Sequence, residues 1–339
     1  MTTLLAKHLS LRGAAGRGYF LVVVLVGIAL GFVQAYADSH VPLIGRRYLA
    51  PFLAVFMLWA MAAAVRRLQD AGCSGLWLLL LALPWVHFAL ILFLIFAPKR
   101  AARGEAEPAE YLALRGVIFL TVLVCLSRLV VAPVTVTGAD MKPSLLVGDL
   151  VLAGYRTGTE VTRGDVVIYS GPSGRVRIAR LIGLPGDRVE MRAGTVVLNG
   201  QPLPAVPQGS FDEVFRLQGE NGVLPRCGNG PVGEGGICST PRLRETLPDG
   251  RAYDVLDIEP AGPADQTQEF VVPLGHLFFL GDNRDDVLDS RFAPLVGGDG
   301  LVPMQAVVAR ADRIVFSAAG QSALAFWTWR PDRFFLTVQ

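Results

Sequence analysis

The chain lacks the excess of charge of one sign that nucleic-acid-binding proteins carry. Its net charge is only +2 over 339 residues, which excludes strong electrostatic attraction to nucleic acid. It also lacks the polar balance of an ordinary soluble protein, because 52% of its residues are hydrophobic and its mean hydropathy is +0.45. The long apolar runs are confined to residues 18–131. Length and this shift in composition predict two regions that meet near residue 132.

Cysteine is scarce as well, with four residues in the chain. Cys73 and Cys125 lie in apolar runs and are most simply buried thiols. Cys227 and Cys238 flank a glycine-rich loop, and their spacing, with no histidine nearby, does not suit a metal site. The pair is either a disulfide, which would indicate an oxidising compartment, or two unpaired loop thiols. We expect no metal and no cofactor.

Four apolar runs approach or reach the length of about 20 residues that a membrane-spanning helix needs. They cover residues 19–37, 48–64, 75–97 and 111–131. The first run lacks a small-residue cleavage site, so we expect an anchor and not a cleaved signal peptide. Run 75–97 contains Pro84, and it either crosses the membrane once or folds back as a re-entrant hairpin.

Basic residues beside these runs predict the orientation, because lysine and arginine concentrate in cytoplasmic loops. If residues 75–97 fold back, the chain has three spans. Of the basic residues beside the apolar runs, only Arg46 and Arg47 then lie outside the cytoplasm. That arrangement satisfies the rule best and predicts that residues 135–339 lie outside the cytoplasm. The basic residues predicted to lie inside are Lys7, Arg12, Arg17, Arg66, Arg67, Lys99, Arg100, Arg103 and Arg115.

The second half of the chain lacks long stretches with helical periodicity before residue 320. Short runs rich in valine, isoleucine and phenylalanine, separated by glycine, proline or aspartate, predict an all-β domain. Residues 204–268 are rich in glycine, proline and charge, and we predict that they form an inserted cap. The predicted organisation is a multi-span membrane domain at 1–110, a transmembrane anchor at 111–134 and the β domain at 135–339.

Three segments of the β domain carry motifs. They are GADMKPSL at 138–145 followed by Gly148 and Asp149, RGDVV and ARLIGLPGD within 163–187, and GDNRDDVLDSR at 281–291. In this order and after a membrane anchor, they resemble the type I signal peptidase (leader peptidase) family. The resemblance implies removal of signal peptides from exported proteins at the outer face of the bacterial inner membrane. It also implies a serine nucleophile with a lysine general base.

The residues that the resemblance assigns to this chemistry are substituted. The nucleophile position falls on Asp140, the general-base position on Ala179 and a supporting serine position on Val287. Because a nucleophile–base pair fails when either member is lost, we predict a pseudopeptidase that binds signal peptides or a partner protein. The motif framework is retained: Met141, Pro143, Arg180, Gly281, Asp282, Asn283, Asp289 and Arg291.

The charge of Asp140 needs a counter-ion beside an apolar cleft. Arg177 and Arg180 are the two candidates. Arg177 comes first, because on a strand it shares a face with Ala179.

Two other functions stay open. An active hydrolase with non-standard residues would pair Asp140 with a second carboxylate, for which Asp282 and Asp289 are candidates by family placement. Alternatively, the first 100 residues carry the function, and the protein serves in membrane assembly or interaction.

The segment RRLQDAGCSGLW at 66–77 carries a second resemblance. It resembles a small uncharacterised bacterial inner-membrane family with the hallmark RRLxDxGxSGW, here with Trp77 shifted by one place. The resemblance implies membrane residence and no known chemistry. Arg66, Arg67 and Asp70 form either a functional cluster or an interfacial anchor with local charge pairing.

Overall fold

The computed structural model describes residues 15–40, 47–82, 86–99, 108–259 and 261–339. It divides into two compact units, Met1–Val130 and Val131–Gln339. Several residues named above lie outside the described residues: Lys7, Arg12, Arg46, Pro84, Arg100 and Arg103.

The first unit is helical. Two of its helices, α1 and α2, are long and apolar enough to cross a membrane, over Arg17–Ala37 and Ala50–Asp70, and Leu112–Ser127 is a shorter apolar stretch. Within the described residues, two of the four apolar runs therefore form helices of membrane-spanning length. The elements are α1 (Arg17–His40), α2 (Ala50–Asp70), a 3-10 helix (Gly75–Ala82), α3 (Val86–Phe96) and α4 (Pro108–Ser127).

The apolar run 75–97 folds back on itself. Its described residues include the 3-10 helix and α3, and the ring centroids of Trp77 and Phe93 are 6.4 Å apart. In one straight helix, 16 residues would separate these rings by about 24 Å. The geometry is therefore that of a hairpin and not of a single continuous helix.

Three helix ends meet on one side of the helical unit. The backbone N–H of Ala15 donates to Asp70 Oδ2 at 2.9 Å, which joins the start of α1 to the end of α2. Arg17 Nε donates to Ala97 O at 3.1 Å, and Arg67 Nε donates to Leu94 O at 2.7 Å. The two arginines satisfy carbonyl groups that the end of α3 leaves without helical partners. The Arg67–Asp70 region thus fixes helix ends.

The second unit is a β domain built from fourteen strands within the described residues. A seven-stranded sheet has the order β1-β2-β14-β3-β4-β12-β13, with a four-stranded sheet β11-β5-β6-β7 and a three-stranded sheet β10-β9-β8. The strands are β1 (Val131–Thr135), β2 (Asp149–Tyr155), β3 (Val166–Ser170), β4 (Val176–Gly183), β5 (Arg188–Arg192), β6 (Thr195–Leu198), β7 (Gln201–Pro202), β8 (Ala205–Val214), β9 (Ile237–Thr246), β10 (Ala252–Leu256), β11 (Phe270–Val271), β12 (His276–Leu280), β13 (Val302–Pro303) and β14 (Val307–Ser317). The predicted fold class, a helical region followed by an all-β domain, is confirmed.

Strands β4 and β12 lie at the centre of the core. Leu181, Phe278 and Phe279 are each 1% exposed or less, and the two strands pair antiparallel with an irregularity between Phe278 and Phe279. The near-continuous apolar run of β12 reflects a strand that is covered on both faces. This core holds the second and third sequence motifs next to each other.

The three-stranded sheet lies within residues 204–268. Cys227 and Cys238 are joined there by a disulfide. Lys142, in the loop that follows Asp140, forms an ion pair with Glu213 of β8 at 2.7 Å. This pair attaches the three-stranded sheet to the first motif.

Candidate functional site

The Asp140 loop follows directly from β1. Met141 is 1% exposed and packs in the core with Leu145, and the Lys142–Pro143 peptide is cis. The backbone oxygen of Asp140 accepts a hydrogen bond from Asn283 N at 3.0 Å. Packing on one side and this bond on the other fix the Asp140 backbone against the third motif.

Strand β4 presents the general-base position. In the β3–β4 ladder, Val167 faces Ala179 and Tyr169 faces Arg177, so these four side chains share one face of the sheet. Ala179 is 2% exposed and packs with core residues. The base position is therefore filled by a buried methyl group, with no titratable atom.

Arg177 holds several elements together. Its Nε donates to Asp299 Oδ1 at 3.2 Å, and its Nη2 donates to Leu288 O and Gly297 O at 3.2 and 3.0 Å. Its Nη1 lies 3.9 Å from Asp140 Oδ2. The preference for Arg177 as the counter-ion of Asp140 is confirmed.

Tyr169 and Asp299 complete this arrangement. The Tyr169 hydroxyl donates to Asp299 Oδ2 at 2.7 Å, and its ring stacks on Phe279 at 4.5 Å. Burial, followed by the charge of Asp299, raises the pKa of Tyr169 well above its ordinary value. Tyr169 therefore acts as a neutral donor that fixes Asp299, which in turn orients Arg177.

Arg180 is engaged elsewhere. It is 1% exposed, and its Nε and Nη2 donate to the two carboxylate oxygens of Asp282 at 2.7 and 2.6 Å. Its guanidinium lies 4.2 Å from the ring centroid of Tyr253. This bidentate pair joins the second motif to the third.

The third motif brings Val287 to Asp140. A Cβ placed on Gly281 would lie 2.7 Å from both Asp140 O and Val287 Cγ1, so glycine permits the close approach of these two residues. Asp289 Oδ2 accepts from Gly281 N at 3.0 Å, and Asp289 Oδ1 accepts from Arg291 Nε at 2.9 Å. The position that the resemblance assigns to a supporting serine thus presents an apolar side chain beside Asp140.

The carboxylates around Asp140 differ from those that the sequence suggests. Asp282 and Asp289 are both held in buried ion pairs with arginine, so neither is available as an acid–base partner. Burial raises the pKa of Asp140, the nearby Arg177 opposes this rise, and the negative charges of Asp286 and Asp299 add to it. Burial also raises the pKa values of Asp286 and Asp299.

Asp140, Arg177, Asp286 and Val287 line an open cleft of about 520 Å³. A cleft of this size is within the range of ligand-binding sites in proteins. Its lining comes from the first and third motifs, from β4 through Arg177, and from residues 226, 259, 263 and 264. It includes Asp140, Arg177, Arg226, Glu259, Asp285, Asp286, Val287 and Leu288.

Asp140, Arg177 and Val287 therefore line the same cleft, whereas Ala179 is buried in the core and is not among the lining residues. The sequence reasoning missed Tyr169, Asp299 and Asp286. Tyr169 could have been found from the strand pairing of VVIYS with VRIAR. Asp299 lies in a glycine-rich loop that carries no motif.

Two known protein families match this chain, over ranges that overlap at residues 109–127. The family described as "Signal peptidase, peptidase S26" matches residues 109–316. A second family, "Protein of unknown function (DUF805)", matches residues 9–127.

Two similar proteins of Rickettsia species have names that agree with the first match. Signal peptidase I of Rickettsia prowazekii is 30% identical over 219 residues, which cover 56% of this chain and 73% of that protein. Signal peptidase I of Rickettsia typhi is 29% identical over 231 residues, covering 58% and 78% of the two chains. The crystal structure of a signal peptidase I from Enterococcus faecalis V583 is 23% identical with a TM-score of 0.22, covering 44% of this chain and 93% of that one.

Proposed function

The chain belongs to the signal peptidase family, peptidase S26, and we propose that it binds signal peptides without cleaving them. The observation that carries this proposal is the side-chain chemistry at the cleft. Asp140 lies 3.9 Å from Arg177, Ala179 is buried in the core, and Val287 lines the wall. None of these three substituted positions supplies a hydroxyl nucleophile or a neutral amine.

Arg177 cannot take over the task of the missing lysine. A general base must be deprotonated near neutral pH, and lysine reaches that state when burial lowers its pKa. A guanidinium stays protonated in proteins. Arg177 therefore supplies positive charge beside the nucleophile position without the ability to accept a proton.

The parts that would hold a peptide remain. The sheet order leaves β1 at an edge of the seven-stranded sheet, and β1 leads directly to Asp140. An extended peptide can add to such an edge through backbone hydrogen bonds, while pockets select its side chains. The buried Arg180–Asp282 pair keeps the cleft-forming motifs in place.

The helical unit supports a location in the bacterial inner membrane. The start of α1, the end of α2 and the end of α3 meet on one side, and this side carries Arg17, Arg66 and Arg67. We place it at the cytoplasmic surface by the positive-inside rule. With α4 as the third span, the β domain lies on the periplasmic side, where the Cys227–Cys238 disulfide is stable.

A second candidate is an acid-dependent hydrolase. The favouring observation is that Asp140 and Asp286 line the same cleft and that burial raises the pKa values of both, because a carboxyl group with a raised pKa is suited to general acid–base catalysis. An acid-dependent hydrolase predicts cleavage with an acidic pH optimum, and this cleavage is lost in Asp140→Asn.

A third candidate, a role in membrane assembly, predicts that neither peptide binding nor cleavage depends on the cleft.

Peptide binding by the full chain in lipid nanodiscs tests the leading proposal. A fluorescent signal peptide that ends in Ala-x-Ala and continues into the mature sequence should bind saturably and stay intact. A Leu288→Glu substitution in the exposed cleft wall should weaken binding, and Leu274→Glu, also exposed but outside the cleft lining, should not. Equal binding by both variants, or no saturable binding, would contradict the proposal.

A further inference from the structure

A second pocket adjoins the cleft. It lies between residues 263–270 and 290–301 and has a volume of about 540 Å³. Pro263, Ala264 and Phe292 line both the cleft and this second pocket. The two spaces therefore border each other along these three residues, and a ligand in the cleft reaches the second pocket by extending past Phe292.

The two spaces differ in charge. Seven of the twelve described residues that line the cleft are charged, whereas Arg291 is the one charged residue among the thirteen described residues that line the second pocket. The Arg291 side chain is 1% exposed and forms an ion pair with Asp289 at 2.9 Å. The surface that the second pocket offers to a ligand is thus uncharged. A charged side chain that entered it would lose water without gaining an opposite charge.

The core of the β domain fixes the apolar floor of the second pocket. Phe270 and Leu301 line this pocket and pack against one of the core clusters. The ring centroid of Phe270 lies 5.2 Å from that of Phe278, which is 1% exposed. Phe270 and Leu301 are themselves half-buried, so each presents part of its side chain to the pocket. An apolar side chain of a ligand would bury this remaining surface without reorganising the floor.

Two edge strands begin at the second pocket. Residues 266–268 lead into β11, at an edge of the four-stranded sheet, and residues 300–301 lead into β13, at an edge of the seven-stranded sheet. Within the described part of the chain, β11 pairs only with β5 and β13 only with β12. The backbone of an extended peptide can add to such an edge, while pockets beside the edge receive its alternate side chains. An extended peptide therefore suits this place better than a compact ligand does.

We propose that the bound peptide extends from the cleft past Phe292 and places an uncharged, apolar side chain in the second pocket. The inference rests on the proposed peptide-binding function and adds a specificity-determining position to it. Phe270 and Leu301 form the floor under that side chain, and Gln268 lies on the exposed rim. The second pocket thus selects peptides by rejecting charge at one position of the sequence.

A peptide scan with both signs of charge locates this position. Starting from the fluorescent peptide with the Ala-x-Ala motif, each residue from five before to five after the motif is replaced in turn by leucine, lysine or glutamate. Affinities for the full chain in nanodiscs are measured by fluorescence anisotropy. At one position leucine should bind about tenfold more tightly than either lysine or glutamate, because burial of a leucine side chain contributes about that factor.

A charge placed on the rim assigns the effect to the second pocket. At the selected position, Gln268→Lys should make glutamate bind about two- to fivefold more tightly than lysine, the size of an exposed ion pair, and Gln268→Glu should reverse this order. Gln201→Lys, also exposed but outside the lining of both spaces, should leave all preferences unchanged. Leu301→Glu places the charge on the floor and should act like Gln268→Glu, with thermal unfolding as the check that this variant is folded.

Equal affinities of the leucine, lysine and glutamate peptides at every position would overturn this inference and leave peptide binding intact. Charge preferences that do not respond to substitution of Gln268 would also overturn it, because they would arise elsewhere. Failure of every peptide to bind would overturn both proposals. If Gln268→Lys changes the oligomeric state in light scattering and leaves the peptide preferences unaltered, the second pocket is an interface between copies of the chain, which contradicts the inference as well.

Discussion

Arg177 Nη1 lies 3.9 Å from Asp140 Oδ2, so an arginine two residues before the general-base position faces an aspartate at the nucleophile position. The strand period of two makes this contact possible, because Arg177 and Ala179 project from the same face of β4. Arg177 keeps a positive charge near the first motif, but its guanidinium cannot accept a proton from another group at physiological pH.

Removing Arg177 should reveal its coupling to Asp140. Arg177→Met is expected to lower the free energy of unfolding by about 1–3 kcal/mol, because Asp299 and two carbonyls also lose a donor. Asp140→Asn should recover about 0.5–1 kcal/mol of this loss, the size of a partly exposed ion pair. A double-mutant cycle from urea unfolding of the full chain in detergent measures the coupling.

The matched control for this cycle is Arg188→Met, whose partner Glu269 lies on the surface. It should change stability by less than about 1 kcal/mol. Strictly additive effects of Arg177→Met and Asp140→Asn would mean that the two side chains do not interact.

Substitution of Gly281 tests the close contact between Asp140 and Val287. A Cβ at this position would lie 2.7 Å from Asp140 O and Val287 Cγ1, and overpacking of this kind costs about 1–3 kcal/mol. Gly281→Ala should therefore lower the midpoint of thermal unfolding and weaken peptide binding. Gly233→Ala, which meets no atom within 4 Å, serves as the control, and equal effects of the two changes would argue against the contact.

Asp257 should make stability depend on pH. Burial, with the charges of Asp285 and Asp265, raises its pKa from 3.8 to about 6. The folded chain thus holds this proton more tightly than the unfolded chain, so its contribution to stability falls as pH rises from about 4 to 6 and stays low above 6. Asp257→Asn should stabilise the protein at pH 8 and leave it unchanged at pH 3.5.

Thermal unfolding of Asp257→Asn and of Asp332→Asn, an exposed acid, measures this difference across the pH range. Parallel curves for Asp257→Asn and the unchanged protein would show that the Asp257 carboxyl is not perturbed in the folded state.

The motifs and apolar runs predict the architecture because each depends on local sequence. Glycine and aspartate spacing marks the turns, and alternation of apolar residues marks the strands that carry Ala179 and Arg177. The fold-back of residues 75–97 could not be decided from composition, because it depends on contacts such as Trp77–Phe93. Asp299 escaped prediction because loop closure brings it to Arg177 from a distant part of the chain. Asp286 lies within the third motif, but the sequence does not show that its side chain, unlike those of Asp282 and Asp289, lines the cleft.

Restoring the three missing side-chain groups should restore peptide cleavage if the scaffold is retained. The triple change Asp140→Ser, Ala179→Lys and Val287→Ser supplies a hydroxyl, a buried amine and a supporting hydroxyl. We expect detectable cleavage after Ala-x-Ala. Adding Arg177→Met should lower the rate, because a nearby guanidinium lowers the pKa of a lysine and so favours the neutral amine that a general base needs. No cleavage in either variant, with both folded, would indicate that the cleft has diverged beyond the three positions.

The most direct test is a cleavage assay of the unchanged full chain. The purified protein in nanodiscs is incubated with a preprotein carrying an Ala-x-Ala site from pH 4 to 9, and products are read by mass spectrometry beside an Asp140→Asn preparation made in the same way. Loss of one member of a nucleophile–base pair lowers turnover by about a million-fold, so we predict bound, intact preprotein at every pH. Cleavage at the Ala-x-Ala site that disappears in Asp140→Asn would contradict the account.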